Sequence, residues 1–403
     1  MPGLGHKAYV QFGGRETTYG TFIAPTKRLE ILNWNVTPVI GSIMDGSLSG
    51  QPSRRGIYQS GQLFRGTFSC RVNYEGLEEL FRNAFGSYAR TVVSGNTGDH
   101  TFREGSTLSP MTLEVNLGDV PSSGKCFRLL GAKLTGLTIK GAAGSGNDGM
   151  LTVEFTVVAR DYLSDQTPTA AVTLATVVTC IATGVCTLTK AAFDFAANGV
   201  VVGSTVSHPS YAAGTVVTAV VVGTVTLSGP ANAALVTATA VFSTMQPSAV
   251  IPVLYTQALT VSDGTADAAA SVRVRSFEVS LESPHAEDRW FVGSVNIDEP
   301  LRSDFLAARF KLTQEFTTKT QHDAARAFTK GSPKLLFRHS EALLSTNFRE
   351  FELRANQANL VEFGAPVEGF GVMLSTATWE AWFDPTDATA LLARFRNDLP
   401  ALP

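Results

Sequence analysis

The sequence predicts a mainly β protein with two tandem domains of similar pattern, each of β-sandwich or barrel type with one short α-helix. A small all-β domain is predicted between them. Charged residues make up only 17% of the 403 residues, Gly occurs 36 times and runs rich in Thr and Val recur, a composition that favours strands. A switch from strand to helix periodicity occurs once in each half of the chain. The segment between the halves is almost free of charge.

The first switch of periodicity lies in residues 68–86, FSCRVNYEGLEELFRNAFG. From Phe68 to Tyr74 every second residue is Phe, Cys, Val or Tyr, which is typical of a strand with one buried face. From Glu75 onward, the apolar residues follow the spacing of one helix face. They are Leu77, Leu80, Phe81 and Phe85. The sequence therefore predicts a strand that leads directly into a short helix.

The same order of elements recurs in residues 310–331, FKLTQEFTTKTQHDAARAFTKG. Other segments of the first and last parts keep the order strand, long loop, strand, short helix, strand, strand, turn and strand. The corresponding pairs are 51–55 with 299–303, 111–117 with 334–340, 125–141 with 349–364, and 150–161 with 373–384. We interpret this order as an internal duplication, with domains at residues 1–165 and 249–403. The alternative is two unrelated β domains with a similar strand rhythm.

Residues 166–248 are predicted to form the inserted domain. Within them, residues 169–246 contain only two formally charged side chains, Lys190 and Asp194. Short runs of apolar residues and Thr are separated by Gly, Pro and Asn, which predicts six or seven short strands in a small sandwich or barrel. Residues 170–188 are uncharged and long enough to span a membrane, but their spaced Thr and β-branched residues favour strands. No membrane insertion is expected.

The charge and the cysteines argue against some classes of function. A net charge of −3 and a pI near 6.1 argue against a protein that grips nucleic acid by neutralising phosphates. The four cysteines lack the spacing of a metal site and are interpreted as buried thiols. They are Cys70, Cys126, Cys180 and Cys186. A disulfide between Cys180 and Cys186, across a hairpin, is left open. The first residues contain no apolar signal segment, so cytoplasmic synthesis without export is expected.

No catalytic, cofactor or metal site is predicted. The segment GSLSG at 46–50 has Leu48 where a nucleophile elbow needs serine. The Gly-rich segment 141–149 lies between two predicted strands, and no Gly-Lys-Ser or Gly-Lys-Thr follows it, so a hairpin turn is favoured over a phosphate-binding loop. The six histidines are scattered and form no H-E-x-x-H motif. These motifs do not indicate an enzyme.

Two polar loops at corresponding positions of the two halves are candidate assembly contacts between protein subunits. The candidate residues of the first loop are Arg54, Arg55, Tyr58 and Arg65. Those of the second loop are Asp298, Glu299, Arg302 and Asp304. Arginines beside aromatic rings suit protein interfaces, because guanidinium groups bond carboxylates and stack on rings. The alternative is that both are solvated loops.

Seven segments in a fixed order carry a resemblance to a known family. They are RETTYGTFIAPTKRLEI (15–31), RGTFSCRVNYEGLEELFRNAFGS (65–87), LLGAKLTGLTIKG (129–141), LTVEFTVVARD (151–161), VRSFEVSLESP (274–284), IDEPLRSDF (297–305) and PVEGFG (366–371). In this order they resemble the major tail tube proteins of bacteriophages with long, non-contractile tails. The resemblance covers nearly all of residues 1–162 and 250–403.

The resemblance implies a structural virion protein that assembles with itself. Six tail-tube domains make one ring, so two fused domains per chain imply a homotrimeric ring with pseudo-sixfold symmetry and an inner barrel of about 24 strands. Stacked rings form the hollow tail tube, through which a tape-measure protein and then double-stranded DNA pass without sequence-specific binding. Tail terminator and distal tail proteins are further expected partners, and assembly is expected in the host cytoplasm. The inserted block resembles the decorating domains of some tail proteins.

The alternative function is that of a carbohydrate-binding or adhesive β protein that attaches to a surface through the inserted domain. Sugar sites use aromatic platforms, and the chain has four tryptophans. They are Trp34, Trp290, Trp379 and Trp382. All four lie outside the insertion, and the strand pattern around Trp379 and Trp382 favours their burial in a core.

Overall fold

The computed structural model describes most of the chain. The described residues are 8–45, 56–94, 97–117, 126–144, 149–166, 169, 173–180, 187–195, 200, 204–211, 215, 217–229, 231, 237–243, 251–262, 274–316, 319–344, 347–366, 373–399 and 402. Their secondary structure is mostly β strand, with two short α-helices. The predicted mainly β fold class is confirmed.

The first part of the chain contributes ten strands and one helix to the described structure. They are β1 (Tyr9–Arg15), β2 (Lys27–Glu30), β3 (Asn33–Met44), β4 (Ile57–Arg71), α1 (Glu78–Phe85), β5 (Gly86–Ser94), β6 (Thr97–Glu104), β7 (Met111–Asn116), β8 (Cys126–Ala142), β9 (Thr152–Ala159) and β10 (Asp161–Gln166). The predicted switch from strand to helix is confirmed, because β4 ends at Arg71 and α1 begins at Glu78. Gly86 ends the helix at a left-handed φ of 95°, where a Cβ atom would lie 2.9 Å from the carbonyl oxygen of Thr107.

Helix α1 is buried along its whole length. The four residues of the predicted helix face, Leu77, Leu80, Phe81 and Phe85, are all fully buried. Its polar side chains are buried as well, so they need partners inside the protein. Asn83, for example, accepts a hydrogen bond from the backbone N–H of Leu134 at 3.1 Å. A helix enclosed in this way must lie between two layers of the fold.

The middle part of the chain forms a sheet of its own. Its strands are β11 (Thr173–Cys180), β12 (Thr187–Thr189), β13 (Thr205–Ser207), β14 (Val217–Val221), β15 (Thr224–Leu227) and β16 (Thr237–Ser243). They are antiparallel in the order β13-β16-β11-β12-β15-β14. Their buried side chains form a separate core, in which the rings of Phe195 and Phe242 lie 5.5 Å apart. The described parts of 170–188 are strands, as predicted.

The last part of the chain contributes nine strands and the second helix to the described structure, after a 3₁₀ turn at Tyr255–Gln257. They are β17 (Ala258–Ser262), β18 (Val274–Glu282), β19 (Ala307–Glu315), α2 (Thr320–Arg326), β20 (Lys330–Gly331), β21 (Lys334–Leu344), β22 (Asn347–Arg354), β23 (Ala358–Gly364), β24 (Leu374–Ala381) and β25 (Leu392–Asn397). The second predicted switch is confirmed, because α2 follows β19 as α1 follows β4.

Eight antiparallel strands form one continuous layer, which we call the eight-strand array. Their order is β3-β4-β9-β8-β18-β19-β24-β23. The first four strands come from the first part of the chain and the last four from the last part. The two groups join where residues 136–142 of β8 pair with residues 276–282 of β18. The parts of the chain before and after the middle sheet therefore share one sheet.

The two parts also repeat a second order of strand pairing. In the first part, β1 pairs with β7, and the N-terminal half of β8 pairs with both β7 and β10. In the last part, β17 pairs with β21, and β22 pairs with both β21 and β25. The hairpin of β5 and β6 then extends the last group, because β6 pairs with β25. We call the resulting layer β17-β21-β22-β25-β6-β5 the second sheet.

Phe81 of α1 connects the eight-strand array to the second sheet. Its ring centroid lies 6.1 Å from that of Phe155 in β9, and 4.9 Å and 6.1 Å from those of Phe395 in β25 and Phe351 in β22. All three contacts are edge-on, an arrangement that adds to the stabilisation from burial alone. Helix α1 thus packs between strands from both parts of the chain.

Helix α2 has a different environment. It packs against β23 through Ala324 and Ala325, which are only partly buried. Phe328, just after the helix, is 62% exposed. The two helices occupy corresponding places in the chain, but only α1 is covered within the single chain.

We expect Phe81→Ala to lower the free energy of unfolding by about 3–5 kcal/mol, because it leaves a cavity between the two layers. Phe328→Ala is the matched control, and its expected loss is below about 0.5 kcal/mol because that ring is exposed. Urea unfolding of unassembled protein, followed by circular dichroism, measures both values. Similar losses in the two variants would contradict the central position assigned to Phe81.

Candidate assembly surfaces

One face of the eight-strand array is polar. On β19, the alternate residues Ala308, Phe310 and Leu312 are fully buried in the core, whereas Arg309 and Lys311 are exposed. The neighbouring strands β18, β24 and β9 alternate in the same way. We call the side opposite the core the polar face.

The strand register arranges the residues of the polar face in rows. One row contains Arg71, Thr152, Lys140, Glu278, Lys311, Thr378 and Glu362. The next row contains Ser69, Glu154, Thr138, Ser280, Arg309, Glu380 and Asn359. Both rows mix hydroxyl groups with charges of both signs, and together they hold four basic and four acidic side chains. The charges of the two rows therefore balance.

Charges on the polar face pair across neighbouring strands. The Nζ atom of Lys140 lies 3.5 Å from a carboxylate oxygen of Glu278, and Nη2 of Arg309 lies 3.6 Å from Oε1 of Glu380. All four side chains are exposed, so each pair contributes at most about 1 kcal/mol to stability. Thr378 adds a hydrogen bond to Glu362 at 3.3 Å. Fold stability alone does not account for this arrangement.

The two outer strands of the array have open edges within the described residues. Strand β3 pairs only with β4. Strand β23 pairs with β24. Its other side pairs with β20 at Ala358 and Asn359, and the Leu360 N–H donates to the carbonyl oxygen of Thr329 at 3.3 Å, so this edge is open from Val361 onward. On the core face, Trp34 of β3 and Phe363 of β23 pack against the core but are only partly buried. Open strands with partly buried aromatic rings are suited to pairing with another chain.

Exposed apolar side chains are concentrated on the hairpin of β3 and β4, beyond the point where it pairs with the rest of the array. Ile40, Ile43, Met44, Ile57 and Tyr58 are each at least 50% exposed. Single exposed apolar residues are common on soluble proteins, but a group of this size on one hairpin indicates an interaction surface.

The loop between β18 and β19 lies beside this hairpin. The backbone N–H of Gln62 donates to the carbonyl oxygen of Val295 at 2.8 Å, and its side chain donates to Asn296 at 2.7 Å. Gly61 is needed here because a Cβ atom would lie 2.7 Å from the ring of Trp290. The loop adds Phe291, 57% exposed, and other exposed apolar residues to the surface of the hairpin. We call the exposed apolar residues of hairpin and loop together the apolar end.

The structure brings together part of the two predicted polar loops. Arg54 and Arg55 lie outside the described residues. Tyr58 is exposed on the hairpin, and Arg65 contacts Glu287 of the β18–β19 loop at 3.4 Å. The four predicted residues of the second loop all lie in this same β18–β19 loop. They are Asp298, Glu299, Arg302 and Asp304.

Three of these second-loop residues have side-chain partners within the loop itself. Asp298 pairs with Arg289 at 3.2 Å. Arg302 donates to the hydroxyl oxygen of Ser283 at 3.2 Å, and a carboxylate oxygen of Asp304 accepts the N–H of Phe305 at 2.7 Å. These contacts hold the loop in shape next to the hairpin.

Lys133 of β8 anchors the loop and was not predicted from the sequence. Its Nζ atom lies 2.8 Å from both the Glu299 carboxylate and the carbonyl oxygen of Pro300, and only 2% of its side chain is exposed. Burial lowers the pKa of Lys133, and Glu299 offsets part of this change. The available sequence signal was a lysine inside the apolar strand LLGAKLTGL, because a buried ammonium group needs a partner.

A second ionic contact joins the two parts of the chain in the second sheet. Asp99 of β6 lies 2.6 Å from Arg396 and 3.1 Å from Arg394, both in β25. Burial alone would raise the pKa of Asp99, but the hydrogen bonds and charges of these arginines outweigh it and lower the pKa. The carboxylate therefore favours the folded state at neutral pH and loses this effect as the pH falls through its lowered pKa.

The tryptophans offer no common platform for a sugar. Trp379 is fully buried, as predicted, whereas Trp382 is 40% exposed and its Nε1–H donates to Asn359 at 2.9 Å. The burial predicted for Trp382 is wrong, because Trp379 and Ala381 face the core and alternation along the strand turns the next residue, Trp382, away from it. Trp290 packs over Gly61 at the apolar end.

Other candidate chemistry lies partly outside the described residues, including GSLSG at 46–50 and Cys186. Cys180 is buried, with its Sγ atom 3.7 Å from the Tyr211 hydroxyl. In the part of the chain that the structure describes, no group of three or more His, Cys, Asp or Glu residues could hold a metal ion. Across the same residues, no helix combines the length and apolar character of a membrane span.

Residues 5–197 match the family model described as phage tail tube protein. The match confirms the resemblance to phage tail tube proteins for this part of the chain, and it supports a structural role in a phage tail tube. It includes β1 to β10 and ends in the middle sheet, between β12 and β13. A comparison with curated protein sequences finds no match.

Proposed function

Because residues 5–197 match the family model of phage tail tube proteins, we propose that three copies of this chain close into a ring and that stacked rings form the tail tube. The observation that carries the proposal is the join between β8 and β18 within the eight-strand array. The same kind of join, made between chains, would pair the open strands β23 and β3. The tube would then serve as the passage for DNA into the host.

The repeated pairing orders support a duplication as the origin of this arrangement. Strands β3 and β18 correspond, because each pairs with the strand that leads into a helix, β4 or β19. Strand β23 corresponds to the C-terminal half of β8, because they pair with the corresponding strands β24 and β9. The β8–β18 join within the chain would therefore be made of the same two corresponding strands as a β23–β3 join between neighbouring copies. The proposed tandem domains are residues 1–165 and 249–403.

Closing the array in this way satisfies both open edges. Three copies of eight strands give a barrel of about 24 strands, and strands ~4.8 Å apart with a tilt of ~40° give a backbone radius of roughly 24 Å. Such a barrel is wider than a DNA duplex. The core face, which carries α1 and the second sheet, would lie outside, and the polar face would line the lumen. A closed ring also removes the strand edges that otherwise cause uncontrolled aggregation.

The side chains at the open edges are compatible with this join. In the β8–β18 join, Val279 on the core face is opposite Ile139. The corresponding residues at the open edges are Trp34 and Phe363, and both are incompletely covered in the single chain. Contact between these two rings would complete the core at the subunit boundary, as the aliphatic pair does inside the chain.

The register of the join predicts which residues of neighbouring copies meet. Ser280 is opposite Thr138 in the β8–β18 join, and the corresponding residues are Asn35 and Glu362. We expect Asn35→Cys combined with Glu362→Cys to form disulfide-linked trimers in assembled protein, because opposite residues of antiparallel strands lie within disulfide reach. Electrophoresis without reductant measures the linked species.

The matched control is Thr37→Cys combined with Gly364→Cys, which lies on the same strands and the same face but out of this register. It should remain mostly monomeric on the gel, as should each single variant. Equal linking in both double variants, or none in either, would contradict the proposed subunit join.

The apolar end supports a second contact, between stacked rings. It lies where the β3–β4 hairpin extends beyond the strands that pair with it, beside the predicted contact residues Tyr58 and Arg65. Burying these apolar side chains against the next ring would be favourable by about 25 cal/mol per Å² of apolar surface. The described candidate residues Asp298, Glu299, Arg302 and Asp304 would act mainly by holding the loop in place. Arg54 and Arg55 remain predicted contacts.

We expect Tyr58→Asp to leave rings intact but to reduce the yield of tubes at least tenfold, which corresponds to about 1.4 kcal/mol. The physical reason is the cost of burying an unpaired carboxylate in an apolar contact. Val221→Asp in the middle sheet is the matched control, since Val221 is 60% exposed, as Tyr58 is. Electron microscopy and sedimentation measure rings and tubes. Tubes of the same yield from both variants would reject the stacking assignment.

The middle sheet supports an inserted domain, residues 166–248, outside the ring. Among the residues that the structure describes, its six strands pair only with each other, and its core is separate from the main one. Thr169 lies near the start of this range, before β11, and it contacts the first part of the chain, because its N–H and hydroxyl donate to Glu114, both at 3.0 Å.

We expect deletion of residues 170–246, with a short Gly/Ser join, to leave ring and tube formation unchanged, because no core strand is removed. Electron microscopy of the shortened protein, beside the full chain at equal concentration, tests this. Insoluble or unfolded protein after the deletion would show that the middle sheet is part of the core.

The remaining partners follow from this function. A tape-measure protein and then double-stranded DNA would occupy the lumen, and tail terminator and distal tail proteins would bind the exposed ring at each end of the tube. The protein would act in the virion after assembly in the host cytoplasm.

A further inference from the structure

The second sheet carries an open cavity of about 370 Å³ on one of its faces. Four basic side chains line this cavity, and Glu352 is the only carboxylate among the described residues that line it. The four basic residues are Arg103 of β6, Lys334 of β21, Arg354 of β22 and Arg394 of β25. We infer that this cavity, which we call the cationic cavity, binds a phosphate group. The inference goes beyond the proposed function and does not depend on ring formation.

The cationic cavity lies on the face of the second sheet that is turned away from α1. On β22 and β25, Leu353 and Phe395 are fully buried in the core that contains the helix. Arg354 and Arg394 follow or precede them by one residue and therefore point to the opposite face. A ligand can thus reach these guanidinium groups without any opening of the core.

The strand register brings like charges together at this cavity. Lys334 is opposite Arg354 on the neighbouring strand, and on its other side Arg354 is opposite Leu392. Like charges directly opposite each other destabilise a sheet. A network that served stability alone would have a carboxylate at one of these positions. The unfavourable pairing therefore indicates a binding site.

The carboxylate of the cavity is shared between three cations. Glu352 oxygens lie 3.2 Å from Nζ of Lys334 and 2.5 Å from Nη2 of Arg394. Arg354 is 3.6 Å from the same carboxylate and also binds Asp387 at 2.6 Å. One carboxylate compensates one positive charge, so sharing it between three cations leaves part of their charge unbalanced.

The excess of positive charge extends over this face of the second sheet. Its six basic side chains have only four carboxylates within ion-pair distance in the part of the chain that the structure describes. The basic residues are Arg103, Lys334, Arg338, Arg354, Arg394 and Arg396. The carboxylates are those of Asp99, Glu350, Glu352 and Asp387. The net charge of the whole chain is −3, so this local excess is opposite in sign to the rest of the protein.

Arg103 is the lining cation with the most binding capacity to spare. Its side chain is partly buried at the wall of the cavity, and it forms no ion pair with any residue that the structure describes. A guanidinium group offers two parallel N–H donors to an oxyanion. Thr101, on the same strand and also at the wall, adds a hydroxyl donor.

A phosphate group has the charge and the acceptors that suit this cavity. A phosphate ester carries about −1.5 to −2 charges at pH 7 and three strong acceptor oxygens. This charge is close to the excess on the face, and the oxygens can be shared between several arginines. A carboxylate ligand would bring one charge and two oxygens, and it would leave part of the excess unbalanced.

The test measures binding of inorganic phosphate to the purified full-length protein before assembly. Isothermal titration calorimetry at about 50 mM salt gives the affinity, since more salt would screen the cations. Acetate is titrated as the carboxylate probe. A short polyphosphate, compared with phosphate at equal concentration of phosphate groups, distinguishes the source of the ligand. Tighter binding of polyphosphate identifies a phosphate group on a polymer, and equal binding identifies a free phosphate ion.

We expect Arg103→Gln combined with Lys334→Gln to weaken phosphate binding at least about tenfold, because hydrogen bonds to a charged group are lost. Arg103→Lys should weaken it less, because it keeps the charge but not the paired donors. Lys319→Gln combined with Arg326→Gln is the matched control. It removes the same charge from exposed positions on and beside α2 and should bind phosphate as the original protein does. Circular dichroism confirms that each variant is folded.

Three outcomes would overturn the inference. They are no binding of phosphate by the original protein, an equal loss of affinity in the test and control variants, and binding of acetate as tight as that of phosphate. If the double variant does not fold, Arg103→Lys decides, and an affinity equal to that of the original protein would count against the site. Ring and tube formation, followed separately by electron microscopy, tests the proposed function and not this inference.

Discussion

The antiparallel pairing of β8 with β18 is the constraint on which the rest of the structure depends. β8 runs through 17 residues without interruption. Its N-terminal half pairs with β7 and β10, and its C-terminal half pairs with β9 and β18. One backbone therefore fixes the first part of the chain relative to the last. Main-chain hydrogen bonds set the position of the first part of the chain relative to the last. The side chains then have to fill the space between the two parts.

Helix α1 fills that space. Phe81 touches phenylalanine rings of β9, β22 and β25. The first and last parts of the chain, which are joined by the pairing of β8 with β18, therefore also meet in the core around this ring. The hairpin of β5 and β6 strengthens the connection through Asp99 and its arginine partners in β25. Apolar packing and partly buried ion pairs thus act at the same boundary. Helix α2, at the corresponding place in the last part of the chain, stays partly exposed.

The polar face and the apolar end use different physical means. On the polar face, hydroxyl groups are mixed with charges of both signs, several of which lie beside an opposite charge, and this keeps the surface hydrated and its long-range field small. At the apolar end, large uncharged side chains stand in solvent, which favours association. Within one sheet, the first surface is suited to avoiding lasting contacts and the second to forming them. Lys133 supports the second surface from inside, by holding the loop that carries Trp290 and Phe291.

Local patterns in the sequence determined the strand-to-helix switches, the buried face of α1 and the separate character of the middle part. Each depends on residues close together in the chain, where spacing and composition report directly on backbone conformation. The tertiary structure alone decided which face of the array is polar, that Lys133 is buried against Glu299, and that Trp382 is exposed beyond the end of β24. It also decided that β5 and β6 complete a sheet from the other part of the chain. Alternation in the sequence shows that a strand has two different faces. The strands and side chains that it contacts come from distant parts of the chain, and only the folded backbone brings them together.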